Sequence, residues 1–479
     1  MSNKTTKNSA SMRINALLDR GSFVEIGAGI TARTTDFNMT EKETPRDGVI
    51  TGYGVIEGNL VYVYSQDSSV LQGAVGEMHM KKIIHIYDLA MKMGAPIIGL
   101  LDSAGIRLQE STDALHSFGD LYRKQTLASG VIPQISGVFG TCGGGLALTL
   151  AMNDFTFMES SKGKLFVNSP NSIKGNDITK CNTSSAIFQS KESGLVDGIG
   201  SEEEIIQQIR SFISILPANN EDDHSYDECT DDLNRSCERA GVVFDDPSIV
   251  LGIISDNHIF IETKKNFAKD MVTGFIRLNG MTIGAVANRT KIYDEEAEVI
   301  ETFDGSLSIE GCKKASRFVN FCDAFSIPIL SLTNVNGYKA TKNTEKNIAK
   351  DAAALTYSFS NATVPKVNLI IGKAYGSAYL AMNSKAIGAD MVYAWPTSEI
   401  GMMDSMLAAK IMYADSSFSV IEEKAKEYEV LQSSPDAAAR RGYVDSVIVP
   451  ADTRKYLIGA FEMLFTKRED RPAKKHGSI

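Results

Sequence analysis

The feature that most constrains this chain is that it repeats itself. The run Gly94-Ala95-Pro96-Ile97-Ile98-Gly99-Leu100-Leu101 is answered by Ser326-Ile327-Pro328-Ile329-Leu330-Ser331-Leu332-Thr333, and Val131-Ile132-Pro133-Gln134-Ile135 by Thr363-Val364-Pro365-Lys366-Val367. Both pairs keep one spacing of 232 residues, and in that register Gly105 falls opposite Gly337 and Gly144 opposite Gly376. Upstream, Thr51 to Gly58 pairs with Thr273 to Gly280. Each is followed by an apolar run, Leu60 to Tyr64 and Met281 to Ala287, so each reads as a hairpin with a Gly-bearing turn. A spacing held across separate matches implies a duplicated unit. Each half reads hairpin, helix, strand, Gly loop, helix, strand, Gly loop, helix, which is an α/β arrangement. Between them, Pro217 to Pro247 is polar and acidic, with Asn219-Asn220-Glu221-Asp222-Asp223 and Asp231-Asp232, and reads as a linker. Two domains are expected, residues 1–230 and 231–479.

The Gly loops are where chemistry is expected. Leu101 to Glu110 follows one buried strand; Val138 to Ala147, with Gly143-Gly144-Gly145, follows another and enters a helix near Leu146. Glycine lets the backbone turn with positive φ and bring N–H groups close to a ligand. Amides at a helix N-terminus point outward at the positive end of its dipole. Two such loops side by side can hold one oxygen between two N–H groups, an oxyanion hole. The loops Thr333 to Tyr338 and Gly372 to Tyr379 repeat the device, so two carbonyl ligands could be held. The pattern is neither a dinucleotide fingerprint nor a P-loop.

Composition excludes other classes. A net charge of −10 argues against broad nucleic-acid binding. The six cysteines form no Cys-x-x-Cys pair and the six histidines show no metal spacing, so no metal is expected. Met1 to Arg13 is polar without an apolar h-region, and no apolar run approaches a membrane span. A cytoplasmic protein that does not itself insert in a membrane is expected. Cys142, though inside a Gly loop, reads as a small buried residue. Ala90-Met91-Lys92-Met93 spells a biotinylation tetrapeptide but lies in the helical run Ile83 to Met93.

Arg13 to Asp19, Asp47 to Gly58, Gly76-Glu77-Met78-His79, Asp102 to Glu110, Ala128 to Cys142, Arg317 to Pro328, Ala362 to Tyr379, Ala389 to Pro396 and Pro472 to Gly477 together resemble the carboxyltransferase subunits of biotin-dependent acyl-CoA carboxylases and decarboxylases. The family includes the propionyl-CoA carboxylase beta chain and the methylmalonyl-CoA decarboxylase alpha chain. The resemblance implies two crotonase-like (ClpP/crotonase) domains related by internal duplication, with an acyl-CoA side in the N-terminal half and a biotin side in the C-terminal half. It implies backbone oxyanion donors at Ala104, Gly105, Gly143 and Gly144 for the acyl-CoA, and at Gly337, Tyr338, Gly376 and Ser377 for biotin. Arg107, Glu77, His79, Lys174 and Leu380 are the expected substrate-binding residues, Lys174 toward CoA phosphates and Leu380 toward a short acyl chain.

The implied reaction moves a carboxyl group between carboxybiotin and a short-chain acyl-CoA (propionyl-CoA/methylmalonyl-CoA or acetyl-CoA/malonyl-CoA) through an enolate. Biotin would come on a separate biotin carboxyl carrier protein. Further partners would be a biotin carboxylase or a membrane decarboxylase subunit, and the chain would form a homo-oligomer, a hexamer, with sites shared between chains. The sequence departs from the family where Asn336-Gly337-Tyr338 replaces Pro-Gly-Phe, where Lys350-Asp351-Ala352-Ala353 replaces an Arg-His-Gly segment, and where Gly376-Ser377-Ala378-Tyr379 replaces Gly-Gly-Ala-Tyr. Two alternatives remain: a biotin-independent crotonase-like acyl-CoA decarboxylase, and a non-catalytic scaffold subunit of a carboxylase complex.

Overall fold

The computed structural model describes residues 9–34, 42–222 and 227–478. The chain forms two compact units, residues 1–224 and 225–479, dividing six residues before the expected boundary.

In the first unit, β1 (Val24–Ile26), β2 (Val49–Ile56), β3 (Asn59–Gln66), β4 (Ile97–Ser103), β5 (Gln134–Gly143), β6 (Phe155–Glu159), β7 (Lys164–Phe166) and β8 (Gly198–Gly200) form one sheet. Its order is β1-β2-β3-β4-β5-β6-β8, with β7 paired to the far end of β5. The β1/β2 and β2/β3 pairs are antiparallel, and from β3 onward the strands run parallel. Parallel strands need helical crossovers and are covered on both faces. Accordingly β4 is buried along nearly its whole length. The helices Glu77–Met93 and Ser111–Ala128 pack Met80, Ile83, Tyr87, Phe118 and Leu121 into the core with Ile97 and Leu101.

The second unit repeats this with β9 (Phe260–Thr263), β10 (Met271–Leu278), β11 (Met281–Asn288), β12 (Ile329–Val335), β13 (Lys366–Tyr375), β14 (Met391–Ala394), β15 (Glu399–Gly401) and β16 (Ser446–Val447). The order β9-β10-β11-β12-β13-β14-β16, with β15 paired to β13, matches the first sheet strand for strand. Even the turns repeat. Glu57 and Gly58 (φ 51° and 83°) close the first hairpin, and Asn279 and Gly280 (φ 50° and 78°) close the second. Two consecutive positive φ values are what a type I′ turn requires.

The duplication extends to a buried pair of lysines 232 residues apart. Lys82 donates to Arg46 O (2.9 Å) and Val49 O; Lys314 donates to Lys264 O and Phe267 O (both 2.9 Å). Each fastens a crossover helix to the turn before its hairpin. Among the described residues no helix is long and apolar enough to cross a membrane.

Candidate functional site

In the first unit β4 and β5 run side by side, with Ser103 opposite Cys142, and both Gly loops leave the same end of the sheet. The backbone after β4 is held at alternate groups. Ala104 N–H donates to Gln72 O (3.0 Å), and Gly105 N–H to Ser103 Oγ (3.1 Å). Gly105 O accepts from Val75 N–H (2.8 Å), and Arg107 N–H donates to Val75 O (2.8 Å). These last two bonds form a parallel bridge between Val75 and Ile106. In such a bridge the flanking residues bond, and the central residue's own N–H faces the other way. Ile106 is that central residue, and it is 36 % exposed.

The second loop turns at Gly144 (φ 62°, ψ −126°). Its N–H donates to Phe166 O (2.9 Å), while Gly143 lies in the ladder opposite Phe166. The helix Gly145–Met152 starts next, so its opening amides, Gly145 first, are the outward-pointing ones. The four expected donors are thus not the outward-facing groups. Ala104, Gly105 and Gly144 bond within the chain, and Gly143 is part of the sheet. The candidates move along the chain to Ile106 and Gly145. Glycines mark where the chain bends, not which amide is left facing out.

The second unit shows the same wiring. Gly337–Tyr338 pairs with Ser306–Leu307, and Lys339 N–H donates to Leu307 O (3.0 Å), matching Arg107 and Val75 at the 232-residue spacing. Tyr338 is therefore the counterpart of Ile106, and its expected place at the biotin side, read back through the repeat, is the signal that finds Ile106. Gly376 (φ 59°) opens the helix Gly376–Ala381, and Ser377 is exposed. Leu380 on this helix and Leu148 on its counterpart occupy matched positions and are 42 % and 44 % exposed. Beside Tyr338 lies a cavity of about 740 Å³ lined by Ile348, Ala352, Ala353, Thr356 and Tyr357.

The charged residues are placed differently from their expected roles. Arg107 is 1 % exposed. Its Nη1 lies 2.7 Å from both Asp47 Oδ1 and Glu110 Oε1, and Nη2 donates to Ala74 O (2.7 Å). His79 is fully buried, its Nδ1 2.9 Å from Asp47 O and its Nε2 3.2 Å from Gln66 Nε2. Burial holds His79 down to about 3, so the imidazole is neutral at pH 7. Burial likewise pushes Asp47 up to about 6, against the pull of Arg107. One guanidinium shared by two buried carboxylates leaves one negative charge uncompensated. Arg107 and His79 therefore hold the loop from within and do not face a ligand. Glu77 is half-buried and pairs with Lys81 (2.7 Å) and Arg33 (3.0 Å). Lys174 is exposed on the segment after β7. Cys142 is buried, and burial drives its thiol far above the usual range, as expected of a packing residue. Among the described residues no three His, Cys, Asp or Glu side chains gather as a metal site requires.

A family model for the carboxyl transferase domain matches residues 2–479. The alpha subunit of methylmalonyl-CoA decarboxylase from Propionigenium modestum is 39% identical over 99% of this chain and 93% of its own length. The carboxyltransferase subunit of propionyl-CoA carboxylase from Haloferax mediterranei is 40% identical over the same shares. The crystal structure of transcarboxylase 12S, described as a hexamer assembly with hydrolysed methylmalonyl-coenzyme A bound, superposes with a TM-score of 0.92 at 36% identity. It covers 98% of this chain and 92% of that one. The two eight-stranded units are thus the duplicated crotonase-like domains that the sequence led us to expect.

Proposed function

Because this chain belongs to the carboxyl transferase family, we propose that it moves a carboxyl group between biotin on a carrier protein and a short-chain acyl-CoA, propionyl-CoA/methylmalonyl-CoA or acetyl-CoA/malonyl-CoA. The observation that carries this reading is the repeated wiring that turns the Ile106 and Tyr338 amides outward beside the openings of matched helices.

In the first unit, Ile106 N–H and Gly145 N–H receive the thioester oxygen. As the α-carbon loses its proton that oxygen gains negative charge, and two fixed dipoles stabilise it. Loss of one such donor costs roughly 3–4 kcal/mol of activation energy. In the second unit, the Tyr338 and Ser377 amides receive the ureido carbonyl of biotin. Space there suits a ring, since a Cβ at Gly337 would meet nothing within 4 Å and the 740 Å³ cavity adjoins Tyr338. Biotin, when docked, supplies the carboxyl group and takes up the α-proton. The exposed Leu380 offers an apolar contact for a short acyl chain, and the exposed Lys174 a cation for CoA phosphate. Arg107 and His79 act by holding the first loop, and Glu77 pairs with Lys81 and Arg33 at the start of its helix.

The biotin carrier, a biotin carboxylase or membrane decarboxylase subunit, and further copies of this chain are the proposed partners. Incubation with free biotin and methylmalonyl-CoA or malonyl-CoA tests the reading: carboxybiotin and the decarboxylated thioester should form together. Decarboxylation without any need for biotin would instead assign a biotin-independent decarboxylase. Inactivity on every acyl-CoA, with partner assembly intact, would leave a scaffold subunit.

A further inference from the structure

The first unit carries a device that the second lacks. Arg107 directly follows Ile106, and its guanidinium is buried among Asp47, Glu110 and Ala74 O. The two carboxylates reach further. Glu110 Oε2 accepts Glu77 N–H (2.6 Å) and Asp47 Oδ2 accepts His79 N–H (2.8 Å). They thereby satisfy amides in the first turn of the helix Glu77–Met93, whose N-cap is Gly76 and has no side chain to do so. Gly76 is bare because the ion network fills the space: a Cβ there would stand 2.4 Å from Arg107 Nη1 and 2.5 Å from Glu110 Oε1. In the second unit the matched positions are Ser308, Lys339 and Lys342. Both lysines are exposed, and Ser308 Oγ donates to Asp270 (2.6 Å).

We propose that Arg107, gripped by Asp47 and Glu110, is a positioning residue for carboxyl transfer: it fixes the direction in which the Ile106 N–H meets the thioester oxygen. The inference rests on the acyl-CoA reading of the first unit. Val75 holds the backbone on both sides of Ile106, and the buried guanidinium anchors the next residue to a helix terminus. The peptide carrying the donor is thus fixed before substrate arrives. A donor aimed in advance needs no reorganisation as charge develops, and a misplacement of about 1 Å costs on the order of 100-fold in rate.

Two variants test this in the full chain. Gly76→Ala wedges a methyl group between Arg107 and Glu110 with every charge kept. Glu110→Gln keeps the shape and weakens the grip. Each should lower kcat roughly 10- to 100-fold while KM for the acyl-CoA stays within about 3-fold, and each should speed amide hydrogen exchange over residues 103–108. A lowered Tm with wild-type kcat and unchanged exchange would reduce the network to a structural role and overturn the proposal. So would a raised KM at constant kcat, the mark of a lost substrate contact. If Gly76→Ala does not fold, Glu110→Gln decides. If the wild-type chain turns over no acyl-CoA, the functional reading fails by itself, and the exchange measurement still decides whether the network fixes the loop.

Discussion

Gly144 shows how a single residue can be required by its backbone alone. At φ 62° and ψ −126° it occupies a region that residues with side chains rarely adopt, yet a Cβ there would meet nothing within 4 Å. Gly144→Ala should therefore cost about 1–3 kcal/mol as conformational strain and should lower kcat by shifting the Gly145 amide. Urea unfolding and turnover measured together check this, and an alanine tolerated in both would remove the turn from the site.

The buried lysines set how stability depends on pH. Burial brings Lys314 down to about 7, and Lys82 and Lys366 down to about 8. Between pH 7 and about 9 the unfolded chain, whose lysines titrate near 10.4, binds more protons than the native one. Stability must then rise with pH across that window. Above it the buried thiols, Cys312 among them at about 12, reverse the slope, because the unfolded chain loses those protons first. Urea midpoints should climb from pH 7 to 9, and Lys314→Met should make the climb shallower across that whole window, because the proton difference at Lys314 persists up to the unfolded lysine range. A wild-type profile that is flat or falling there would contradict the assignment.

At the level of elements, the duplication was legible because hydrophobic strands and turn glycines leave marks in residue type. The 232-residue spacing in the letters reappears as matched strand order and matched bonds at Val75 and Leu307. What the letters did not carry was the direction of each N–H. Alternate amides along an extended strand face opposite ways, so a shift of one residue separates a bonded Gly105 from an outward Ile106. Nor did they show that Arg107 and His79 point inward, since a motif of charged residues beside a loop looks alike whether it grips the loop or a ligand. Helix termini are fixed by local side chains. The helix Glu202–Ile215 opens on a capping box, with Ser201 Oγ accepting from Glu204 N–H (3.3 Å) and Glu204 accepting from Ser201 N–H (2.7 Å). It packs Phe212 against Phe155 and Phe157, at ring distances of 4.7 and 5.0 Å. Ser201→Ala should cost about 1 kcal/mol and leave kcat unchanged, since the link from this helix end to the first loop runs through Arg13, which pairs with Glu202 and Asp102 and does not involve Ser201. A drop in kcat as large as that of Gly144→Ala would show that the two are coupled.

For the molecule as a whole, the telling surface is the pair of helices Ser405–Met412 and Phe418–Tyr428. Between them they bury Ala408, Ala409, Ile421 and Ala425, with Met406 packed alongside, while Met402, Leu407, Ile411, Met412, Phe418 and Val430 are exposed. Large exposed apolar side chains on and beside one helix pair mark an interaction site, and further copies of this chain are the cover that the proposed self-association provides. Ile411→Glu combined with Phe418→Glu should then lower the mass measured by light scattering after size exclusion. Each substitution should change the stability of the chain itself by no more than about 0.5 kcal/mol, because exposed positions contribute little to it. The pairing of the two readouts gives the test its force. A smaller species with unaltered circular dichroism locates the interface on these helices, whereas an unchanged mass would mean the apolar face is covered by something other than a second copy. Turnover adds the last discrimination: activity that falls with the mass means the sites are completed between chains, and activity that survives dissociation means that one chain suffices.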